Sequence, residues 1–239
     1  ALVRRNFHPI LLPADHGDSA NHVMDQLLHY NVSGVLVTSD APPTALCAEF
    51  AAAGVPIVLI NKAESVPGVD RVISDSDTAG RLAVTTLTEA GASHLAVVAA
   101  PAISYTARRR LESFVARCGK MGLHVRTVLV EVNDYRCGLA AASSLSGVDG
   151  VFCINDYMAF GVMDGLRRMR IPVPEQIRII GHDDVPQASW VAYDLTTIIQ
   201  PSGLQAEQAI DLLVSRMGDV STPERVSVTP VSLVRRHTA

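Results

Sequence analysis

Short apolar runs alternate with helical patterns along almost the whole chain, the order expected of a parallel sheet wrapped by helices. The expected strands are residues 8–13 (HPILLP), 34–38, 56–61, 71–74, 94–100, 125–132, 150–155, 177–182 and 196–200, followed by a tail between Val226 and Arg235. Several are apolar at consecutive positions, as strands are when both sheet faces are covered. Helical spacing is expected over 19–30, 43–54, 78–91, 105–121, 136–146, 157–169 and 202–217. In the last of these, Leu204, Ala206, Ala209, Ile210, Leu213 and Met217 recur at helical spacing, a stripe that reads as core. Gly91 and Gly218 are the expected stops of the 78–91 and 202–217 helices.

The 239 residues exceed the usual single-domain size of roughly 100–150, so two lobes or one large α/β domain are the natural expectations. The rhythm shifts at 100–104, where a strand runs into Pro-Ala-Ile-Ser without an immediate helix, and again at 200–203. Taken as crossings, these give two α/β lobes, each a doubly wound parallel sheet, joined by three hinge crossings. Residues 1–101 with 202–226 form the first lobe, and 102–201 with 227–239 the second.

Composition narrows the function classes. A net charge of −4 argues against a nucleic-acid groove within these residues, since phosphate binding needs a dense positive face. Arg108-Arg109-Arg110 and Arg235-Arg236 read as a solvated helix face and a chain end. No apolar run approaches the roughly 20 residues of a membrane span. Cys47, Cys118, Cys137 and Cys153 lack paired spacing and read as reduced and structural. The opening ALVRRNFHPIL reads as the last turn of a helix followed by a strand, so residues upstream of Ala1 are expected.

Open α/β sheets hold ligands at the carboxyl ends of their strands, which makes polar strand ends the first candidates. Asp183 and Asp184 end IRIIGH, Asn155 and Asp156 end GVFCI, Gln200 ends TTII, and Thr38, Ser39 and Asp40 end GVLV. Adjacent strand residues point to opposite faces, so Asp183 and Asp184 are not expected to converge, and Asp184 is expected to hold the turn into Val185-Pro186. For a lone aspartate at a strand end, a loop cap remains as plausible as a ligand contact. The sequence contains no G-x-G-x-x-G after the early strands, no Walker-type P-loop and no G-x-S-x-G elbow. Its eight histidines show neither H-E-x-x-H nor a paired spacing with cysteine, so no metal site and no cofactor are expected.

The segment VPEQIRIIGHDDVPQASWVAYDLTTIIQPSGLQAEQAIDLL resembles the C-terminal core of LacI-family transcription regulators, whose effector domains share the fold of periplasmic sugar-binding proteins. DSDTAGRLAVTTLTEAGASHLAVVAA, ARRRLESF, VFCINDYMAFGVM and the closing PVSLVRRHTA extend the resemblance over essentially all 239 residues. Two positions depart from the family pattern. His182 stands where Phe or Tyr is usual before the Asp pair, and Ser113 where Gly is usual before Phe114.

The resemblance implies a periplasmic-binding-protein-like effector and dimerisation domain with a sugar or related polar metabolite in the interlobe cleft. It also implies a homodimer, a cytoplasmic location, no catalysis, and operator DNA bound through a headpiece upstream of this chain. Arg110 would grip hydroxyls or a carboxylate with its planar fork. Asp183 would accept hydrogen bonds from vicinal hydroxyls, Asn155 would both donate and accept, and Tyr135 would stack on the ligand's apolar face. Gln200 is a further ligand candidate or a hinge residue. The alternatives are a periplasmic sugar-binding protein serving transport, and a sugar-modifying enzyme using Asp183.

Overall fold

The computed structural model describes residues 2–12, 30–38, 44–62, 65–100, 104–219 and 221–239, and leaves the side chains of 44–46 undescribed. In chain order the elements are β1 (Val35–Val37), α1 (Thr44–Ala52), β2 (Ile57–Ile60), β3 (Asp70–Ser74), α2 (Ser76–Glu89), β4 (Leu95–Ala99), α3 (Tyr105–Lys120) and β5 (Val125–Leu129). There follow α4 (Tyr135–Ala141), β6 (Gly150–Cys153), α5 (Asp156–Arg168), β7 (Arg178–Asp183), β8 (Thr197–Ile199), α6 (Ser202–Gly218), β9 (Val226–Thr229) and β10 (Ser232–Val234). The chain divides into two units, Ala1–Ser74 with Pro201–Thr229, and Asp75–Gln200 with Pro230–Ala239.

The first unit holds a parallel sheet in the order β1-β2-β3-β9. Its strands are apolar at consecutive positions because each face has a helix to cover. Val35, Val37, Ile57 and Leu59 cluster with Cys47 and Phe50 of α1, while Val58 and Val72 meet Ala209 and Leu213 of α6. The last turn of α6 is fastened by charge. Arg216 is 2% exposed and donates from Nε and Nη2 to the two oxygens of Asp70 at 2.9 and 2.6 Å. Arg225 adds its Nη2 at 2.7 Å and its backbone N–H at 2.8 Å to the same carboxylate. Burial pushes the Asp70 carboxyl up, but these bonds outweigh it and hold the group below the usual carboxylate range.

The second unit holds six strands in the order β10-β8-β7-β6-β4-β5, all parallel except the antiparallel pair β10–β8. On one face Phe152 of β6 stacks on Phe114 of α3, ring centroids 5.2 Å apart, and Gly150 faces Leu87 of α2. Helices α2 and α3 approach closely because Gly80 lies against Ser113. A Cβ at Gly80 would come within 2.5 Å of Ser113 Oγ and 2.6 Å of its carbonyl carbon. The serine in place of the family's glycine is thus accommodated by a glycine on the facing helix. Its hydroxyl donates to the Arg110 carbonyl at 3.0 Å.

Several elements differ from the sequence reading. Strand β4 pairs with β5 and β6, so the first passage between units lies at Ser74–Asp75 and not after residue 101. A strand's partners are set by pairing across the sheet, and the local sequence near 100–104 carries no such information. Residues 8–12 belong to no strand, and the helix expected at 19–30 falls almost wholly outside the described residues. The stretch 136–146 is a shorter helix that tightens into a 3-10 turn at Ala142–Ser144. The tail between Val226 and Arg235 is two strands, one in each unit.

Candidate functional site

In the second unit β6, β7 and β8 run in parallel, so Ile154, Asp183 and Gln200 end or follow neighbouring strands on one edge. The chain leaves β7 through two successive residues at positive φ, Asp183 at 118° and Asp184 at 56°. Aspartate tolerates the left-handed region better than most residues but gains nothing from it, so the turn needs support. Asp156, the first residue of α5 and fully buried, supplies part of it. Its Oδ2 accepts the Val185 backbone N–H at 2.9 Å, and its Oδ1 the Thr197 hydroxyl at 2.5 Å. Gly181 makes room, since a Cβ there would collide with Asp156 Oδ1. Burial, reinforced by the charges of Asp183 and Asp184, pushes the Asp156 carboxyl up to about 6 despite its two donors. The closing tail supplies the rest, because Arg236 Nη2 donates to Asp184 Oδ1 at 2.7 Å and Nη1 to the Leu195 carbonyl at 2.8 Å.

Arg110 gathers the strand ends. Its helix α3 is capped by Ser104, and the run of three arginines divides by face. Arg108 and Arg109 lie outside and pair with Glu112 and Asp77, whereas Arg110 is 7% exposed. Its Nη1 donates to the Ile154 carbonyl at 2.7 Å, and its Nη2 to Asp183 Oδ1 at 3.0 Å and Gln200 Oε1 at 2.9 Å. His182 places Nδ1 3.1 Å from the same Asp183 oxygen. Burial pushes the Asp183 carboxyl up, yet Arg110 and then His182 hold it below its ordinary range, leaving an anion whose side chain is one-third exposed. Asp183 Oδ2 receives no hydrogen bond among the described residues, so it is the oxygen available to an incoming donor.

The structure therefore brings Arg110, Asp183 and Gln200 into one cluster. Asn155 adjoins it through Ile154, but much of its amide is committed: Oδ1 caps α5 at Met158 N and Nδ2 donates to the Asn133 carbonyl, both at 2.8 Å. Tyr135 stands in a different network from the Arg110 cluster. Its hydroxyl donates to Asp164 Oδ2 at 2.8 Å, beside Tyr193 at 3.2 Å, because the first residue of α4 faces α5. Asp183 and Asp184 answer to separate cations, as expected, although the positive-φ turn and not strand alternation sets them apart. Two supporting residues were read incompletely from the sequence, Asp156 and Arg236. The first was named among the polar strand ends but given no role. The second read as a chain end, and nothing local marks which of two adjacent arginines turns inward.

Among the described residues no group of three or more His, Cys, Asp and Glu side chains is placed to hold a metal ion, and no helix is long and apolar enough to cross a membrane. The profile of the periplasmic binding protein-like domain matches residues 84–239. The chain is 30% identical over 254 residues to the HTH-type transcriptional regulator MalR of Streptomyces coelicolor, covering all of this chain and 74% of that protein. A LacI family transcriptional regulator from Enterococcus faecalis V583, solved with bound ribose, superposes with a TM-score of 0.87 at 27% identity, covering 100% of this chain and 89% of that one. The transcriptional regulator CelR, solved as its cellobiose complex, does so with a TM-score of 0.87 at 26% identity, covering 99% and 75%. With a 30% identical regulator matched over the whole of this chain, the chain belongs to the LacI family of transcriptional regulators and carries their periplasmic binding protein-like domain.

Proposed function

We propose that this chain is the effector-sensing and dimerising part of a LacI-type regulator that binds a sugar or related polyol and performs no chemistry on it. The observation that carries the reading is the Arg110–Asp183–Gln200 cluster at the strand ends, with one carboxylate oxygen unengaged. A ligand meeting Asp183 Oδ2 must donate a hydrogen bond, which a sugar hydroxyl does. Relatives bound to ribose and cellobiose make those two sugars the first probes. Effector occupancy would shift a conformational equilibrium of the homodimer and with it the affinity for operator DNA, each ligand changing the other's affinity by the same factor. Such a regulator works in the cytoplasm, on DNA held by a headpiece.

The enzyme alternative finds no support in the geometry, because Asp183 and Asp184 are each paired with a different arginine and do not converge on one point. The transport alternative shares the fold, but the MalR relative is an HTH-type transcriptional regulator, which favours the regulator reading. Titration calorimetry of the chain against ribose, cellobiose and a wider sugar panel tests the reading. Saturable binding that is lost in Asp183→Ala, together with unchanged sugar after prolonged incubation, is the expected result. Turnover of any sugar that disappears in Asp183→Asn would overturn it in favour of an enzyme.

A further inference from the structure

His182 is the residue at the strand ends whose chemistry is least expected, because the resemblance puts Phe or Tyr there. Its ring lies in the core, 1% exposed, on the sheet face it shares with Phe152 and Ile180. One nitrogen, Nδ1, is 3.1 Å from Asp183 Oδ1, and the other, Nε2, is buried without a hydrogen-bond partner among the described residues. A ring nitrogen facing a carboxylate oxygen must carry the proton, so Nε2 is the bare acceptor. Burial, with the Arg110 charge alongside, keeps the imidazole neutral by pushing its pKa down to about 4. An orphaned acceptor in a core is unfavourable, and a phenylalanine would fill the space without one. What the histidine supplies that phenylalanine cannot is a second donor to Oδ1.

We propose that His182 is a positioning residue for ligand recognition, a neutral Nδ1–H donor that, with Arg110, fixes Asp183 Oδ1 and thereby presents Oδ2 to the effector. Two donors on one oxygen remove the carboxylate's freedom to rotate about its Cβ–Cγ bond. With Arg110 alone, the two oxygens can exchange roles and the acceptor facing the ligand is no longer set. Support of a contact residue by a second ring of hydrogen bonds typically changes affinity by about 10–100-fold at metal sites, and the lower end of that range is expected here.

The proposal rests on the sugar-binding reading, so its test has one arm that needs no ligand. In long-range 1H–15N spectra of the histidine-labelled chain, the resonance that vanishes in His182→Phe should show a protonated Nδ1 and a bare Nε2, unchanged between pH about 5.5 and 8. A protonated Nε2, or titration with a midpoint near the ordinary value of about 6.5, overturns the assignment. The Asp183 carboxyl, followed by its 13C shift, should titrate higher in His182→Phe than in the wild type. It should stay low in His182→Asn, whose amide nitrogen overlays Nδ1, and not in His182→Gln, whose amide overlays Nε2.

The second arm measures affinity for ribose and cellobiose by calorimetry. His182→Phe should bind about tenfold more weakly while unfolding at the same or higher urea concentration, and His182→Asn should recover the wild-type affinity. Equal binding by the Phe and Asn variants overturns the proposal. If neither sugar nor any member of the wider panel binds the wild type, the sugar reading fails, and the two spectroscopic titrations still decide whether His182 orients Asp183.

Discussion

Each unit buries an arginine against an aspartate, and the two pairs are finished differently. Arg216 meets both oxygens of Asp70, Arg225 adds two further donors, and the carboxylate is wholly enclosed. Arg110 meets one oxygen of Asp183, His182 meets the same oxygen, and the side chain remains one-third exposed. A saturated pair fastens the end of α6 and β9 to β3 and has no capacity left for a ligand. An unsaturated pair at the strand ends keeps an acceptor in reserve. A buried ion pair alone therefore says little about function, and the count of unfilled hydrogen-bonding positions says more.

The largest expected effect tests the saturated side. Arg216→Ala leaves the Asp70 charge buried with part of its support gone, and about 3–5 kcal/mol of unfolding stability should be lost in urea denaturation. Arg110→Ala should lose only about 1–2 kcal/mol, because water can reach Asp183. Equal losses would break the distinction between the two pairs.

The pH dependence of stability sharpens it. Asp70 and Asp183 sit below their ordinary range, so the stability they contribute is present at neutral pH and lost as the medium becomes more acid than about pH 4. The second unit adds two opposed groups. The His182 pKa is lowered to about 4, so its contribution is present above about pH 6.5 and lost as pH falls through about 4. The Asp156 pKa is raised to about 6, so its contribution is present below about pH 4 and lost as pH rises through about 6. Each spans on the order of 3 kcal/mol, and between pH about 4 and 6 they largely cancel. His182→Phe should therefore make stability fall with rising pH relative to the wild type across that window, and Asp156→Asn should make it rise. Urea titrations at a series of pH values read the slopes directly, and parallel curves for all three proteins would refute the assignment.

Binding separates the pairs in a third way. Arg110→Ala and Asp183→Ala should each weaken effector binding by about 1–3 kcal/mol while leaving dimerisation intact. Arg216→Lys, which lowers stability by breaking a bidentate contact, should leave affinity unchanged by calorimetry. The smallest effect belongs to the brace from the tail. Arg236→Ala should reduce stability by about 1 kcal/mol, since its partner Asp184 is only partly enclosed. An effect as large as that of Arg216→Ala would mean that the turn at Asp183–Asp184 depends on it far more than on Asp156.

Much of the architecture was legible because burial on both sheet faces forces consecutive apolar residues. The strands beginning near Ile57, Leu95, Gly150 and Arg178 all follow that rule. The buried face of α6 was legible only in part. Ala209, Ile210 and Leu213 are core, but Leu204 is 45% exposed, and the same face buries Gln205 and Arg216. A hydrophobic stripe cannot flag polar residues whose burial depends on partners elsewhere in the chain, here Asn61 and Asp70. The same limit hides the hydrogen bond from the Tyr135 hydroxyl to Asp164, 29 residues away.

The sequence by itself determined the alternating β and α elements, the family, and the positions of polar residues at strand ends, because these follow from local periodicity and motif spacing. Tertiary structure alone decided that β4 joins the second sheet, and that Arg110 meets Ile154, Asp183 and Gln200 together. It also decided that IIGHDDVP carries two aspartates with unrelated partners and a histidine that serves one of them. Those outcomes depend on donors and acceptors brought together from as far apart as Arg110, Asp183, Gln200 and Arg236. Such pairings are fixed by the direction of a strand or helix in space, which no stretch of sequence contains.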